Sequence, residues 1–171
     1  TERNESGYSL NDAPIIALLV KTWKLLKEIL IYYRNNNAEI ISVLERPLIE
    51  CAITATYLMQ SDESVIKDYR KCSYKDRIRI LRDYKKGSKF FETKPGKRLI
   101  KSVIEKMRLE DLTTDDFKEQ KANKWRLQGK SFFDIFKEVE HEDFYRYTFG
   151  IMSESIHCSW NDSMDWCLQK K

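Results

Sequence analysis

Apolar side chains recur at helical spacing along nearly the whole chain, and only short breaks separate these stretches. The first stretch ends at Asn35–Asn37 and contains Ile15, Ile16, Leu19, Trp23, Leu26 and Leu30. The same pattern predicts further helices over 38–60, 62–86 and 97–109, a short helix that opens at Ser131 and a long last helix from Glu142. No β-hairpin signal interrupts them. The sequence therefore predicts an all-α protein, a helical bundle with a four-helix-type core and extra short helices, in a single domain over 1–171.

The second predicted helix is apolar on every side of its wheel, which is typical of a helix at the centre of a bundle. Over 47–60 its only charged residue is Glu50, and Arg46 lies four residues earlier on the same face, in one stripe with Ile53 and Tyr57. A charge in such a helix needs a partner because its desolvation is costly. Two readings stay open: an ion pair that only satisfies itself, or a functional polar cluster inside the bundle.

The last predicted helix carries a polar face beside its apolar stripe. Tyr145, Phe149, Met152 and Ile156 form the apolar stripe, and Arg146, Gly150, Ser153 and His157 form the polar face. A glycine on such a face allows another backbone to come close. A Ser–His pair four residues apart can act in catalysis if a third group orients the histidine. The alternative is a satisfied, half-buried histidine at a helix end.

Positive charge is concentrated in one segment, although the chain has a net charge of only +4. Residues 67–101 hold 14 Lys or Arg and 4 Asp or Glu, with Tyr and Phe residues interleaved. Basic side chains beside aromatic rings can hold a phosphate backbone and stack on bases, which makes RNA or a nucleotide a candidate partner. The candidate binding residues are Arg77, Arg79, Arg82, Lys85 and Lys86. A solvated helix face is the plainer alternative.

Other classes of protein find little support in the composition. The longest charge-free run, residues 51–61, is too short to span a membrane, and the polar start of the chain does not resemble a signal peptide. Cys51, Cys72, Cys158 and Cys167 lack metal-binding spacing, so we expect reduced thiols in a cytoplasmic protein. We expect no metal site and no cofactor.

The order of several short motifs resembles a bacterial all-helical family known only as a domain of unknown function. Its elements here are Arg46-Pro-Leu-Ile-Glu50 with Tyr57-Leu58, then Tyr69-Arg70, Trp125, Tyr145, and Ser153-x-x-x-His157-x-Ser159, over roughly 38–160. The resemblance implies a helical bundle and draws attention to Arg46, Glu50, Ser153 and His157. It supplies no activity.

More distantly, the architecture resembles the HEPN superfamily, whose members include RNA-cleaving toxins and phage-defence proteins. Its hallmark is an Arg and a His with four to six residues between them, near the start of one helix. Here the nearest Arg before His157 is Arg146, with ten residues between them, roughly 16 Å along a helix. The resemblance thus implies a ribonuclease only if Arg46 from another helix replaces the missing Arg.

Two functions from different classes follow. In the first, the chain is a HEPN-like RNA- or nucleotide-binding domain in bacterial defence or toxin systems. His157 is then the general acid or base, Arg46 stabilises phosphate charge, and Glu50 orients one of them. In the second, the same residues form a structural network in a non-enzymatic interaction module that forms a homodimer. Both require the second and last helices to be neighbours.

Overall fold

The computed structural model describes residues 7–117, 126–157, 159 and 163–164, and in this part of the chain the regular elements are helical throughout. The prediction of an all-α fold is confirmed. The α-helices are α1 (Asp12–Arg34), α2 (Ala38–Met59), α3 (Glu63–Cys72), α4 (Lys75–Lys85), α5 (Lys94–Leu109) and α6 (Phe132–Val139). Short 3-10 helices cover Lys89–Glu92 and Asp115–Phe117. Helix α7 consists of Glu142–Phe144, a π-helical segment Tyr145–Gly150, and Ile151–Ile156.

The chain divides into two compact units. Unit 1 comprises 1–66 and 130–171, and unit 2 comprises 67–129. The prediction of a single domain over 1–171 stays a prediction, because two such units can belong to one domain or to two.

Unit 1 is organised around α2, which packs against α1, α6 and α7. From position 44 to 58 no residue of α2 is exposed, as expected for a helix that is apolar on every side. Ser131 starts α6 with a capping box, in which its side chain accepts from the Asp134 backbone N–H and Asp134 accepts in return. In the described part of unit 1, α1, α6 and α7 thus pack against α2.

Unit 2 has its own core between α4, α5 and the two 3-10 helices. Its buried members are Tyr74, Ile78, Leu81, Phe91, Ile100, Val103, Met107 and Phe117. The predicted single helix over 62–86 is wrong, because the helix breaks at Ser73 and Tyr74. The Ser73 hydroxyl donates to the backbone carbonyl of Arg70 at 2.8 Å, and Tyr74 turns its ring into the core. Local hydrogen bonding and burial together end the helix there.

The fourth predicted helix begins earlier than expected, at Lys94 rather than Lys97. Thr93 caps it by accepting a hydrogen bond from the backbone N–H of Gly96 at 3.2 Å. Gly96 is buried against the turn before it, where an added Cβ would collide with the carbonyl oxygen of Phe90 and come within 2.6 Å of the Phe91 Cα. This glycine therefore fixes how closely α5 approaches the preceding 3-10 helix.

Replacement of Gly96 by alanine should destabilise the protein by about 1–3 kcal/mol, since backbone atoms must move to admit the Cβ. The gain in helix propensity, at most about 1 kcal/mol, does not offset this clash. Gly150→Ala is the matched control, because Gly150 has an ordinary helical φ of −63° and open space around its Cβ position. We expect that change to be neutral or stabilising. Denaturant melts compare the two, and equal effects would contradict the assigned role of Gly96.

Candidate functional site

The polar residues of α2 and α7 meet at the seam between these helices. The Arg46 guanidinium donates through Nη1 to the Ser153 hydroxyl at 2.9 Å, and the same Nη1 lies 3.5 Å from Nε2 of His157. Its Nε donates to Glu50 Oε1 at 3.2 Å. The prediction that the second and last helices are neighbours is confirmed. The four residues Arg46, Glu50, Ser153 and His157 are called the seam cluster below.

The Arg46 guanidinium is also held by an aromatic ring. Its Cζ lies 4.4 Å from the centroid of the buried Phe149 ring, a cation–π geometry. The Phe149 ring stacks on the Tyr145 ring with 5.0 Å between their centroids, and the centroid of the Phe132 ring lies 4.9 Å from that of Phe149. Burial raises the pKa of the Tyr145 phenol, while the charge of Arg46 acts in the opposite direction. One face of the guanidinium is thus covered by a cluster of neutral aromatic rings, called the aromatic floor below.

The seam cluster is open to solvent on one side. His157 is exposed, and the side chains of Arg46 and Glu50 are 21% and 43% exposed. Among the described residues, Nη2 of Arg46 donates to no acceptor. Arg46 therefore presents a free amino edge beside an exposed imidazole, which is an arrangement that an anion can approach.

Hydrogen bonding within α7 orients the serine but not the histidine. The Ser153 hydroxyl donates to the backbone carbonyl of Phe149 at 2.8 Å, which leaves its lone pairs for Arg46. A direct hydrogen bond from Ser153 to His157 is not present, because both side chains turn to Nη1 of Arg46 instead. Since Arg46 can only donate, the Nε2 contact needs an imidazole with a free lone pair on Nε2.

Two details of the polar stripes differ from expectation. Tyr57 does not join the seam cluster; its hydroxyl accepts from Lys130 Nζ at 3.1 Å, and Lys130 also binds Glu138 at 2.7 Å. The interpretation of Gly150 as a point of close backbone approach is wrong, because nothing lies within 4 Å of its Cβ position. Residues 145–150 form a π-helical segment, and a wheel at 3.6 residues per turn cannot anticipate it.

The basic residues of α4, in unit 2, are divided between two environments. Arg79, Arg82 and Lys86 are exposed and follow one another at spacings of three and four, so they share a face. Lys85 is exposed on another side, at the carboxyl end of the helix. Arg77 is half-buried, with its Cζ 5.1 Å from the Tyr74 ring centroid. The structure thus places four of the five predicted residues where a ligand can reach them.

An aromatic turn follows this basic face. A cavity of about 420 Å³ is lined by Ile80, Asp83, Lys86, Ser88, Phe90 and Phe91. The Phe90 ring is half-exposed and makes an edge contact of 5.2 Å with the buried Phe91. The sequence shows Tyr and Phe residues interleaved in this segment, but it does not show that Tyr84 and Phe90 are the ones exposed. Its position beside Lys86 depends on the Gly96 contact across the turn.

Several other sequence expectations bear on the site. Cys51 and Cys72 are buried thiols, and burial raises the pKa of the Cys51 thiol. Arg70 of the Tyr69-Arg70 motif pairs with Glu110 at 3.3 Å in unit 2. Cys158, Cys167 and Trp125 lie outside the described residues. In the part of the chain that is described, no group of three or more potential ligand side chains could hold a metal ion.

No described helix is long and apolar enough to cross a bilayer. The fold and the seam cluster define an all-α protein with a polar, partly open junction between two core helices. The chain belongs to the family described as "Family of unknown function (DUF5677)", whose model matches residues 12–168. No curated protein and no solved structure matches the chain at a significant level.

The partial exposure of the Arg46–Glu50 pair sets the size of its contribution to stability. A fully buried pair would cost about 3 kcal/mol or more when Glu50 is removed, but both side chains here are reached by solvent. A double-mutant cycle of Arg46→Ala and Glu50→Ala should therefore give a coupling of about 0.5 kcal/mol.

The matched control is the pair Lys101–Glu105, which has the same four-residue spacing but a longer distance of 3.8 Å and greater exposure. We expect a coupling near zero there. Arg46→Ala alone should cost more than Glu50→Ala, because it also loses Ser153 and the Phe149 ring. Strictly additive effects of Arg46→Ala and Glu50→Ala in urea melts would show that this pair does not interact.

Proposed function

We propose that this chain is a HEPN-like RNA-binding protein that cleaves RNA at the seam cluster. The single observation that carries this proposal is the contact of Arg46 with His157 across two helices, at 3.5 Å. The HEPN hallmark supplies an Arg and a His from one helix. Here the same two residue types converge from α2 and α7, which supports Arg46 as the replacement for the Arg that the hallmark places on the helix of the His.

Each residue of the cluster has a chemical part in this proposal. Arg46 binds a non-bridging phosphate oxygen through its open Nη2 edge and stabilises the charge that develops in the transition state. Glu50 and Ser153 hold the guanidinium in place. The long Arg46–His157 contact of 3.5 Å opens when the phosphate takes up the guanidinium, and Nε2 of His157 then accepts the proton of the ribose 2′-hydroxyl as that oxygen attacks phosphorus. The bond to the 5′-oxygen breaks, this oxygen takes up a proton from water, and a 2′,3′-cyclic phosphate remains.

The basic face of α4 supports the binding half of the proposal. Exposed Arg79, Arg82 and Lys86 offer positive charge to a phosphate backbone, and the half-exposed Phe90 offers a ring for stacking. A single-stranded RNA satisfies both, since its bases are free to stack. The residues 67–101 carry an excess of +10, which suits a polyanion better than a neutral ligand.

A second candidate function is a non-enzymatic interaction module, and one observation favours it. Three sides of the Arg46 guanidinium are already occupied, by Glu50, by Ser153 and by the ring of Phe149. In this second function the group has a structural role alone, and it fastens α2 to α7. The two functions differ in what His157 does, because the structural role needs no proton transfer.

Cleavage tests the catalytic assignment. His157→Ala should lower the single-turnover cleavage rate of single-stranded RNA at least about a hundredfold, as expected for loss of a general acid or base, and leave RNA affinity unchanged. The matched control is His141→Ala, because His141 is the other of the two histidines and is also exposed. A substrate with 2′-deoxyribose at the scissile position should resist cleavage. Equal rates for His157→Ala and wild type would reject the ribonuclease, and absence of any cleavage by the wild type would favour the interaction module.

Binding tests the basic face separately. Affinity for single-stranded RNA should fall steeply as salt rises, because each neutralised phosphate releases counterions. Arg79→Glu with Arg82→Glu should weaken binding at least tenfold and make the salt dependence shallower, while helix content by circular dichroism stays constant. Lys21→Glu with Lys24→Glu makes the same charge change on exposed positions of α1 and should have little effect. Similar losses from both double variants would mean that only net charge matters.

A further inference from the structure

Helix α1 has a large apolar surface that the described fold does not bury. None of its 23 residues is buried. The positions Leu18, Thr22, Leu25, Ile29 and Tyr32 are half-buried, at the spacing expected for the side that packs on α2. The residue after each of these positions is rotated by about 100° round the helix, and all five of these residues are exposed. They are Leu19, Trp23, Leu26, Leu30 and Tyr33. A helix in a bundle usually has a second neighbour in that direction.

The exposed residues have the spacing of a helix–helix seam. With Ile16 they alternate at intervals of three and four over 16–33, which is the a/d pattern of a coiled coil. We propose that α1 pairs with α1 of a second copy of this chain, in the antiparallel direction.

The area of the stripe is adequate for a stable dimer. Trp23 and Tyr33 are 61% and 72% exposed, and the leucines are about half-exposed. With Val20 at its edge, the stripe offers on the order of 600 Å² per chain, since a whole aromatic side chain buries about 150–250 Å². Standard interfaces use about 800 Å² per partner. Contiguous apolar patches of this size are rare on monomeric proteins.

A second copy fits because the stripe is complementary to itself when reversed. In an antiparallel pair with a residues facing d residues, Trp23 of one copy lies against Leu26 of the other, and Leu19 lies against Leu30. The remaining layer joins Ile16 and Tyr33. Each large side chain thus meets a smaller one, whereas a parallel pair would place Trp23 against Trp23.

The charges beside the stripe agree with this direction. Lys27 lies at its edge, 5.7 Å from the Trp23 ring centroid. In the antiparallel register its aliphatic stem comes beside Val20 of the other copy, so no like charges are forced together. The exposed lysines Lys21 and Lys24 stay on the far side, in water.

The oligomeric state tests the proposal, and this test does not depend on whether the chain cleaves RNA. Sedimentation at micromolar concentration should show a dimer for the wild type and a monomer for Leu26→Lys. Ala17→Lys adds the same charge on the exposed opposite face and should remain a dimer. A monomeric wild type, or a dimer that survives Leu26→Lys, overturns the proposal. So does a monomer that instead binds vesicles containing phosphatidylglycerol, which would make α1 a membrane-surface helix.

Disulfide trapping tests the direction. Chains with Leu19→Cys and chains with Leu30→Cys are mixed, one of them carrying a mass tag, and then oxidised. The antiparallel pair should give the mixed dimer in excess over either self-dimer, with the wild type as the baseline for the four native cysteines. A parallel pair would join each variant to itself, and that outcome overturns the proposed direction.

Discussion

An arginine side chain that is placed between two helices has only donors to offer, and it needs acceptors from its surroundings. Arg46 takes Glu50 from its own helix, Ser153 from α7, and the face of Phe149. Because Arg46 and Ser153 are 107 positions apart in the chain, their hydrogen bond links two segments of unit 1 that are distant in sequence. Arg46 contacts Ser153, His157 and Phe149 of α7, and these contacts favour one register of α2 against α7.

The partial exposure of the same guanidinium supports the proposal that it binds an anion. A buried ion pair would be shielded from water, whereas the side chains of Arg46 and Glu50 are 21% and 43% exposed. The aromatic floor removes water from one face of the cation, so its interaction with a charge on the open face is stronger than in bulk solvent. Its side chain is already ordered in the free protein, so little conformational freedom is lost when a phosphate binds.

Spacing rules predicted the parts of this structure that depend on neighbours in sequence. The helical period gave the all-α fold, and the four-residue spacing put Arg46 beside Glu50. The requirement that charges on apolar helices find partners predicted the meeting with Ser153 and His157. The break at Ser73 and Tyr74 was missed because burial of the Tyr74 ring in a tertiary core contributes to it. The Gly96 contact was missed because it arises from packing between two elements that sequence alone does not place. The π-helical segment was missed because a wheel at 3.6 residues per turn cannot anticipate it.

The proposed activities of this chain draw on forces that respond to salt in opposite ways. Binding of a polyanion to Arg79, Arg82 and Lys86 releases counterions and weakens as salt rises. Association through the stripe of α1 buries apolar area and is strengthened by salts such as sulfate. The two surfaces share no residue, so salt separates them within one protein without any mutation. If the chain stays dimeric in high sulfate but releases RNA there, α1 serves for assembly and α4 for ligand binding. Burial of apolar area then stabilises the α1 contact, and electrostatic attraction stabilises the α4 contact.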